Sequence, residues 1–275
     1  MMDLSLTVGD LTLVYQEENP GDRSTVFFMH GNSNSSRLWH KQYKDHRFSG
    51  YRLIAFDLPA HGKSDAVPDP GNDYSLPFLA RIMAEAVSSL DNGKPYILAG
   101  LSLGTNIVAE MLAYDLTPAG IILAGPDVVG GTYTLEKAVK PGTEAGVLFE
   151  DTAPEEAVGR YAAMASLSGD VSDRQLLIDD YYRVKPPFRS ELLKTAIDGR
   201  FSDEIALLQD SGLPVLVIFG KDEQLLNTNY LDEAPFALWE GCIVKIPGAS
   251  HFVNLDQPEA FNQLVGSYLQ ARLSV

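Results

Sequence analysis

The stretch ILAGLSLGTNIVAEML, residues 97–112, places a short apolar run directly before an apolar run with helical periodicity. Between them lies Gly100-Leu101-Ser102-Leu103-Gly104, in which Ser102 is either a nucleophile or a serine in a glycine-bounded turn. The five-residue pattern alone arises often by chance, so its surroundings must decide. A buried strand before it and an amphipathic helix after it are the context that a nucleophile elbow requires.

The two glycines have a steric role in this interpretation. In a sharp strand–turn–helix connection the serine adopts a strained backbone conformation, and side chains two residues away on either side would clash. The amide of Leu103, at the start of the helix, would point at a developing oxyanion. We therefore predict that Ser102 is the nucleophile and that Leu103 supplies one amide of an oxyanion hole.

The rest of the chain alternates apolar runs with helical patterns. Two short amphipathic strands, near residues 4–8 and 11–17, flank a hairpin turn signal. Continuous apolarity, as opposed to alternation, then indicates strands buried on both faces of a parallel sheet. These runs are residues 24–30, 51–57, 95–101, 120–125, 213–220 and 242–248. With helices predicted over 75–90, 103–116 and 257–273, the pattern indicates a doubly wound, mostly parallel α/β sheet of about eight strands.

Residues 127–211 interrupt this alternation. They contain no convincing strand but several acidic, helix-like stretches, at 153–167, 171–184 and 188–197. A segment of about 85 residues is too long for a loop. We predict a core formed by residues 1–126 and 212–275, with residues 127–211 as a helical cap over the carboxyl ends of the strands, where open α/β sheets bind ligands.

Composition narrows the classes of function. The chain has 275 residues, 45% of them hydrophobic, and a net charge of −16, which argues against binding to nucleic acid or to an anionic membrane. Neither a signal peptide nor an apolar stretch long enough to span a bilayer is evident. The single cysteine, Cys242, is predicted to pack in a buried strand and excludes a disulfide within the chain. These features favour a cytoplasmic enzyme, and the small-molecule substrate that we expect follows from the motifs of the chain.

A serine hydroxyl needs a base, and histidine is the usual one. The chain has five histidines, His30, His40, His46, His61 and His251. In folds with this elbow the histidine comes last, and only His251 follows Ser102. His251 lies after the last predicted strand, in a loop that could reach the elbow, so we predict that it is the base.

The acid that orients the histidine should follow the strand LPVLVIFG, residues 213–220. Asp222 and Glu223 are both candidates, and adjacent side chains at a strand end point in different directions. We favour Glu223, three positions after Gly220, and keep Asp222 as the alternative. Asp127, after the preceding strand, is a further possibility.

The second oxyanion donor should come from the loop after residues 24–30. There His30-Gly31-Asn32 provides a small residue followed by the backbone amide of Asn32, whose carboxamide could also contact substrate. We predict that Gly31, Asn32 and Leu101 line the substrate site. His30 is expected to bond the loop backbone, and Ser64 in FDLPAHGKSD, residues 56–65, to be a turn residue.

Five motifs occur in the order and spacing of the α/β-hydrolase superfamily: HGN, DLPAHGKS, GLSLG, VIFGKDE and GASHF. The chain is identified as a member of that superfamily from about residue 10 to 272, apart from the insertion. Four stretches also resemble the sequences of the metal-free N-acylhomoserine lactonases of that superfamily: HGNSNSS, DLPAHGKSDA, GKDE and GASH. The resemblance implies that Glu223 is the acid and that Tyr161 helps to bind a lactone. At the elbow the chain departs from that group, with Leu101 and Thr105 in place of a tryptophan and a glycine.

The leading expectation is hydrolysis of a carboxylic ester or lactone without metal or cofactor, most specifically of an N-acylhomoserine lactone. The pattern His-x-His-x-Asp-His of metallo-lactonases is absent from the sequence. Alternatives with the same triad are a general carboxylesterase, a cofactor-free haloperoxidase and a carbon–carbon bond hydrolase. A ligand receptor of this fold with slow turnover is an alternative from another class.

Overall fold

The computed structural model describes residues 3–68 and 73–273, and within them the chain forms one eight-stranded sheet. The strands are β1 (Asp3–Val8), β2 (Leu11–Glu18), β3 (Thr25–Met29), β4 (Arg52–Phe56), β5 (Tyr96–Leu101), β6 (Gly120–Ala124), β7 (Val215–Gly220) and β8 (Val244–Ile246). Each lies within one of the predicted apolar runs or at most one residue beyond it. The predicted α/β-hydrolase fold is confirmed.

The strand order across the sheet is β1-β2-β4-β3-β5-β6-β7-β8. β1 pairs antiparallel with β2 and β2 with β4, whereas every pair from β4 to β8 is parallel. All residues of β3, β5, β6 and β7 are buried, because helices cover both faces of the sheet. Parallel strands bring their carboxyl ends to the same edge of the sheet, so the loops after β3, β5, β6, β7 and β8 meet there.

Helices connect and cover the strands. They are α1 (His40–Tyr43), α2 (Leu76–Leu90), α3 (Leu103–Met111), α4 (Leu135–Ala138), α5 (Glu155–Ala165), α6 (Val171–Tyr181), α7 (Phe188–Ile197), α8 (Glu204–Asp210), α9 (Val253–Asp256) and α10 (Pro258–Leu273). Short 3₁₀ turns add Ser36–Trp39, His46–Phe48, Glu144–Phe149 and Trp239–Gly241. The sequence analysis missed α8 and the shortest helices, since one or two turns give too few residues for a periodic pattern. None of the helices in the described ranges combines the length and apolarity that crossing a bilayer needs.

Helices α4 to α8 lie between β6 and β7, in residues 127–211, which we call the inserted segment. Three of them match the stretches predicted as helices. The segment contacts the core directly: Lys185 Nζ donates to the backbone oxygen of Ser64 over 2.7 Å, and Phe252 donates its amide to the backbone of Ala165 over 3.1 Å.

One prediction about the core was wrong. Cys242 was expected to pack within a buried strand, but β8 begins only at Val244 and the Cys242 side chain is exposed. The run 242–248 lies at the edge of the sheet, where β8 pairs on one side only, with β7. An edge strand buries less of its side chains than an apolar run in the sequence suggests.

Candidate active site

Ser102 stands between the last residue of β5 and the first residue of α3. Its backbone has φ 51° and ψ −128°, a region that side-chain-bearing residues rarely occupy. The turn is held by hydrogen bonds, because Ser102 N donates to Ala124 O over 3.0 Å and Thr105 N donates to Ser102 O over 2.6 Å. The predicted sharp, strained turn is present, and it presents the serine at the carboxyl edge of the sheet.

The glycines on either side of Ser102 allow this close packing. A Cβ atom on Gly100 would overlap the backbone carbonyl of Gly104, and one on Gly104 would overlap the carbonyl oxygens of Met29 and His30. These obstacles are backbone atoms, which cannot rotate away. The steric reason inferred from the sequence for glycine at both positions therefore applies.

His251 and Glu223 are brought together from the loops after β8 and β7. Nδ1 of His251 lies 3.0 Å from Oε2 of Glu223, and both side chains are buried. Oε1 of Glu223 accepts from the amide of Leu225 over 2.8 Å, so both carboxylate oxygens are engaged. With Nδ1 held by Glu223, Nε2 is the ring nitrogen left for a proton on another group.

The electrostatics of this pair favour an imidazole that accepts a proton. Burial lowers the pKa of His251, but the charge and hydrogen bond of Glu223, together with the charges of Asp127 and Asp256, outweigh burial and raise the pKa above its usual value. Burial likewise acts to raise the pKa of Glu223, and His251 together with the hydrogen bonds outweighs it, so the pKa is lowered. Glu223 is therefore ionised at neutral pH and stabilises a positive charge on His251.

Neither alternative acid is hydrogen-bonded to His251 in the described residues, where Glu223 provides that bond. Asp222 directs Oδ2 to the amide of Gly248 over 2.8 Å, and its side chain is exposed, away from the imidazole. Asp127 follows β6 and lines the same cavity as Ser102 and His251. Burial raises the pKa of Asp127 to about 6, against the opposing effect of His251. Within the described residues, Asp127 Oδ1 has no hydrogen-bond partner.

The loop after β3 passes against the elbow. A Cβ on Gly31 would lie 3.1 Å from Cβ of Ser102, so the backbone of Gly31 contacts the serine directly. The carboxamide of Asn32 is occupied by the protein: Nδ2 donates to Leu148 O over 2.8 Å, and Oδ1 accepts from Oγ of Ser33 over 2.8 Å. This leaves the backbone amide of Asn32, and not its side chain, as the group able to face an oxyanion.

Two buried histidines brace this loop. His30 Nδ1 lies 2.7 Å from the carbonyl oxygen of Gly31, and its Nε2 accepts from the amide of Leu58 over 3.0 Å. His61 Nε2 accepts from the amide of Ser33 over 3.1 Å. Both rings serve the loop backbone, as expected for His30. Ser64 also bonds backbone, accepting from Val14 N over 2.8 Å.

Two adjoining cavities open at the site. The smaller, about 170 Å³, is lined by Ser102 and His251 together with apolar side chains of the inserted segment and the loop after β7. The larger, about 340 Å³, lies between α3 and the inserted segment, and its wall is mostly apolar. Asp127, Leu135 and Phe149 line both cavities, so the two are neighbours. Leu103, at the start of α3, lines the larger one.

None of the four predicted substrate-site residues, Gly31, Asn32, Leu101 and Tyr161, is among the described residues that line the two cavities, and all four are buried. Burial, and then the charge of Glu223, raises the pKa of Tyr161 well above its usual value. In the described ranges no group of three or more His, Cys, Asp or Glu side chains is arranged to hold a metal ion.

The sequence analysis missed Arg189 and Ser33, which contact the Gly31–Asn32 loop. Arg189 lies in α7, three residues before the buried Leu192, so helical periodicity places a charged residue on the buried face. An arginine on the buried face of a predicted helix was the sequence feature that could have pointed to Arg189. Ser33 carried none, because its role depends on a contact 156 residues away in the chain.

A model described as the alpha/beta hydrolase family matches residues 26–264. The 2-(acetamidomethylene)succinate hydrolase of Mesorhizobium japonicum is 26% identical over 285 residues, covering 96% of this chain and 94% of that protein. A 2-hydroxy-6-oxononadienedioate/2-hydroxy-6-oxononatrienedioate hydrolase of Burkholderia vietnamiensis is 22% identical over 273 residues, 95% of this chain and 92% of that protein.

Among solved structures, that of the N-acyl homoserine lactonase AidH complexed with N-butanoyl homoserine matches with a TM-score of 0.89 and 24% identity, covering 100% of this chain and 98% of that chain. This likeness shows that the two proteins share a fold. Because the family model spans most of the sequence and the relatives match over nearly their full length, the chain belongs to the alpha/beta hydrolase family and is an enzyme of the hydrolase class.

Proposed function

We propose that this hydrolase opens the ring of N-acylhomoserine lactones with a Ser102–His251–Glu223 triad. The observation that carries the proposal is the site itself: a strained serine and a buried His251–Glu223 pair meet at a small cavity that adjoins a larger apolar one. A compact lactone ring with an apolar acyl chain has the matching division into two parts. Pockets of a few hundred Å³ with apolar walls and few polar groups are typical of small-molecule sites.

In the proposed mechanism Ser102 attacks the lactone carbonyl while Nε2 of His251 takes its proton. The amides of Asn32 and Leu103 stabilise the oxyanion of the tetrahedral intermediate. Collapse breaks the ring C–O bond, and His251 gives its proton to the departing oxygen, which stays attached through the opened ring. Water, deprotonated by His251, then attacks the acyl-enzyme and releases the hydroxy acid and free Ser102.

Glu223 acts through the imidazole. Its hydrogen bond to Nδ1 orients the ring and its charge stabilises the imidazolium that forms in each step. In this proposal the inserted segment is the cap, since it supplies Leu135 and Phe149 to the wall between the two cavities. The structurally similar AidH, an N-acyl homoserine lactonase complexed with N-butanoyl homoserine, supports this choice of substrate.

Carbon–carbon bond hydrolysis is the second candidate, because a curated relative is named as acting on a nonadienedioate. A dicarboxylate needs cationic partners in the site. Apart from the catalytic candidate His251, the basic residue among the described residues that line the two cavities is Arg200, and it already pairs with Asp73 over 2.6 Å. The mostly apolar walls therefore support a substrate with an uncharged tail.

The deciding experiment compares kcat/KM for a short and a long N-acylhomoserine lactone with that for p-nitrophenyl acetate and butyrate, in the presence of a chelator. We expect lactone opening at about 10⁴ M⁻¹s⁻¹ or above, the lower part of the usual enzyme range. Brisk ester cleavage with negligible lactone opening would show a general carboxylesterase.

Ser102→Ala is the matched control. It should lower kcat by roughly 10⁴- to 10⁶-fold on every substrate while leaving the unfolding transition unchanged. Activity within tenfold of the wild type would refute the triad. We also propose a cytoplasmic location, which fits an exposed Cys242 without a second cysteine in the chain.

A further inference from the structure

Arg189 is a buried cation in an unusual setting. Its side chain is about 1% exposed, and among the described residues its hydrogen bonds go to a hydroxyl and to backbone oxygens and not to a carboxylate. The guanidinium instead donates to the backbone oxygens of Glu150, Asp151 and Tyr181, and lies over the Tyr181 ring at 3.7 Å. Burying a charge without a carboxylate in direct contact is costly, and here backbone oxygens, the Tyr181 ring and the more distant charge of Asp151 offset that cost.

Another donor of Arg189 is directed at the loop beside the nucleophile. Nε donates to Oγ of Ser33 over 2.8 Å, and Ser33 Oγ donates in turn to Oδ1 of Asn32 over 2.8 Å. The opposite end of that carboxamide donates to Leu148 O over 2.8 Å. A chain of hydrogen bonds thus runs from α7 to the residue whose backbone amide is proposed to face the oxyanion.

The direction of this chain is determined by chemistry. A guanidinium has donors and no acceptor, so the Ser33 hydroxyl must accept a hydrogen bond from it and can donate its single proton to Asn32. Oδ1 of Asn32 is then the accepting end of the carboxamide, which turns the Nδ2 donor towards Leu148. Replacing Arg189 by a group without a donor would free Ser33, and then Asn32, to turn.

The backbone of this loop also needs external support. Ser33 has a φ of 65°, in the left-handed region. A residue with a side chain stays in this strained conformation only when surrounding contacts hold it there. Its amide is held by His61 and its hydroxyl by Arg189. Of these two, Arg189 belongs to the inserted segment, so the loop conformation depends on how that segment is seated.

We propose that Arg189 is a positioning residue, which holds the Asn32 amide in the oxyanion hole through Ser33. The inference rests on the proposed function, because it takes Asn32 as an oxyanion donor. Arg189 touches neither the substrate nor the reacting atoms in this proposal. Its loss would therefore impair the transition state more than the binding of substrate.

The test uses Arg189→Met and, because that variant removes several contacts, Ser33→Ala, which removes only the link. For each, kcat and KM are measured with p-nitrophenyl butyrate after titration of active sites, together with Ki for a trifluoromethyl ketone. Such a ketone forms a tetrahedral adduct with the serine, and its affinity reports the oxyanion hole. We expect kcat to fall about 10- to 100-fold and Ki to rise by a similar factor, with KM within about threefold.

Three further variants complete the design. Arg189→Lys, which keeps a charge and a donor, should recover part of the loss, and the double variant Arg189→Met/Ser33→Ala should be no worse than the poorer single one. Lys185→Met removes another basic contact from the inserted segment to the core and should leave Ki unchanged. A merely structural role would lower the active fraction but leave Ki per active site unaltered.

The outcomes separate the two proposals. Unchanged Ki in both single variants, or additive losses in the double variant, would overturn the role of Arg189 while leaving the triad intact. Absence of Ser102-dependent turnover in the wild type would overturn the proposed function and this inference with it.

Discussion

Replacing Asp127 by Asn should stabilise the protein at alkaline pH much more than at acid pH. Asp127 is at the carboxyl end of β6, and burial raises its pKa from 3.8 to about 6. A carboxyl with a raised pKa contributes stability below its unfolded pKa and loses it as pH rises through its folded pKa. At about 1.36 kcal/mol per pH unit, ionising Asp127 therefore costs the folded state at most about 3 kcal/mol.

The pH window follows from the two pKa values. About half of that cost, roughly 1.5 kcal/mol, develops between pH 5 and pH 8, where folded Asp127 changes from mostly neutral to fully ionised. An asparagine at this position has no charge to desolvate, so the variant avoids the loss. The free energy of unfolding of Asp127→Asn, relative to wild type, should thus rise by about 1.5 kcal/mol from pH 5 to pH 8.

Urea unfolding followed by tryptophan fluorescence at pH 5 and pH 8 measures this difference directly. Asp115→Asn, which removes an exposed carboxylate, controls for the change in net charge. If the relative stability of Asp127→Asn is the same at both pH values, the carboxyl is not a desolvated group and the reasoning fails. A second readout is the acid limb of kcat/KM, which should move to lower pH because Asp127 helps to raise the pKa of His251.

The remaining predictions concern the acid, the elbow and the larger cavity. Glu223→Gln should lower kcat by about 10³-fold or more and move the acid limb of the kcat/KM profile to lower pH, whereas the kcat of Asp222→Asn should stay within about threefold of the wild type. A larger loss of kcat at Asp222 in steady-state kinetics would reverse the assignment of the acid. Gly104→Ala should cost about 3 kcal/mol or more of unfolding free energy because its Cβ would overlap the carbonyl of Met29; a normal melting curve would contradict this. Leu192→Trp, in the wall of the larger cavity, should lower kcat/KM for a long-chain lactone at least about tenfold but spare the butanoyl one, and equal losses on both would argue against an acyl site there.

Local patterns predicted most of the fold. The strands from β3 to β7 are continuous apolar runs because both of their faces are buried, and that apolarity is visible without knowledge of their partners. Ser102 was recognisable for the same reason, since its strand, its flanking glycines and its helix are all within a few residues. The strand order and the edge position of β8 were not visible, which is why Cys242 was wrongly placed in a buried strand.

The sequence by itself determined which elements form, and it made Ser102 and His251 the candidate nucleophile and base. Each of these properties depends on neighbours in the chain or on chain order. Sequence position favoured Glu223 over Asp222 but left both open, and only the tertiary structure decided that Glu223 meets the imidazole, because the two carboxylates point in different directions. It also decided that Arg189 reaches Ser33, a contact between residues 156 positions apart. Such contacts depend on how separate elements pack against each other. They cannot be read from the sequence, because side-chain periodicity indicates that a face of a helix is buried but not which element covers it.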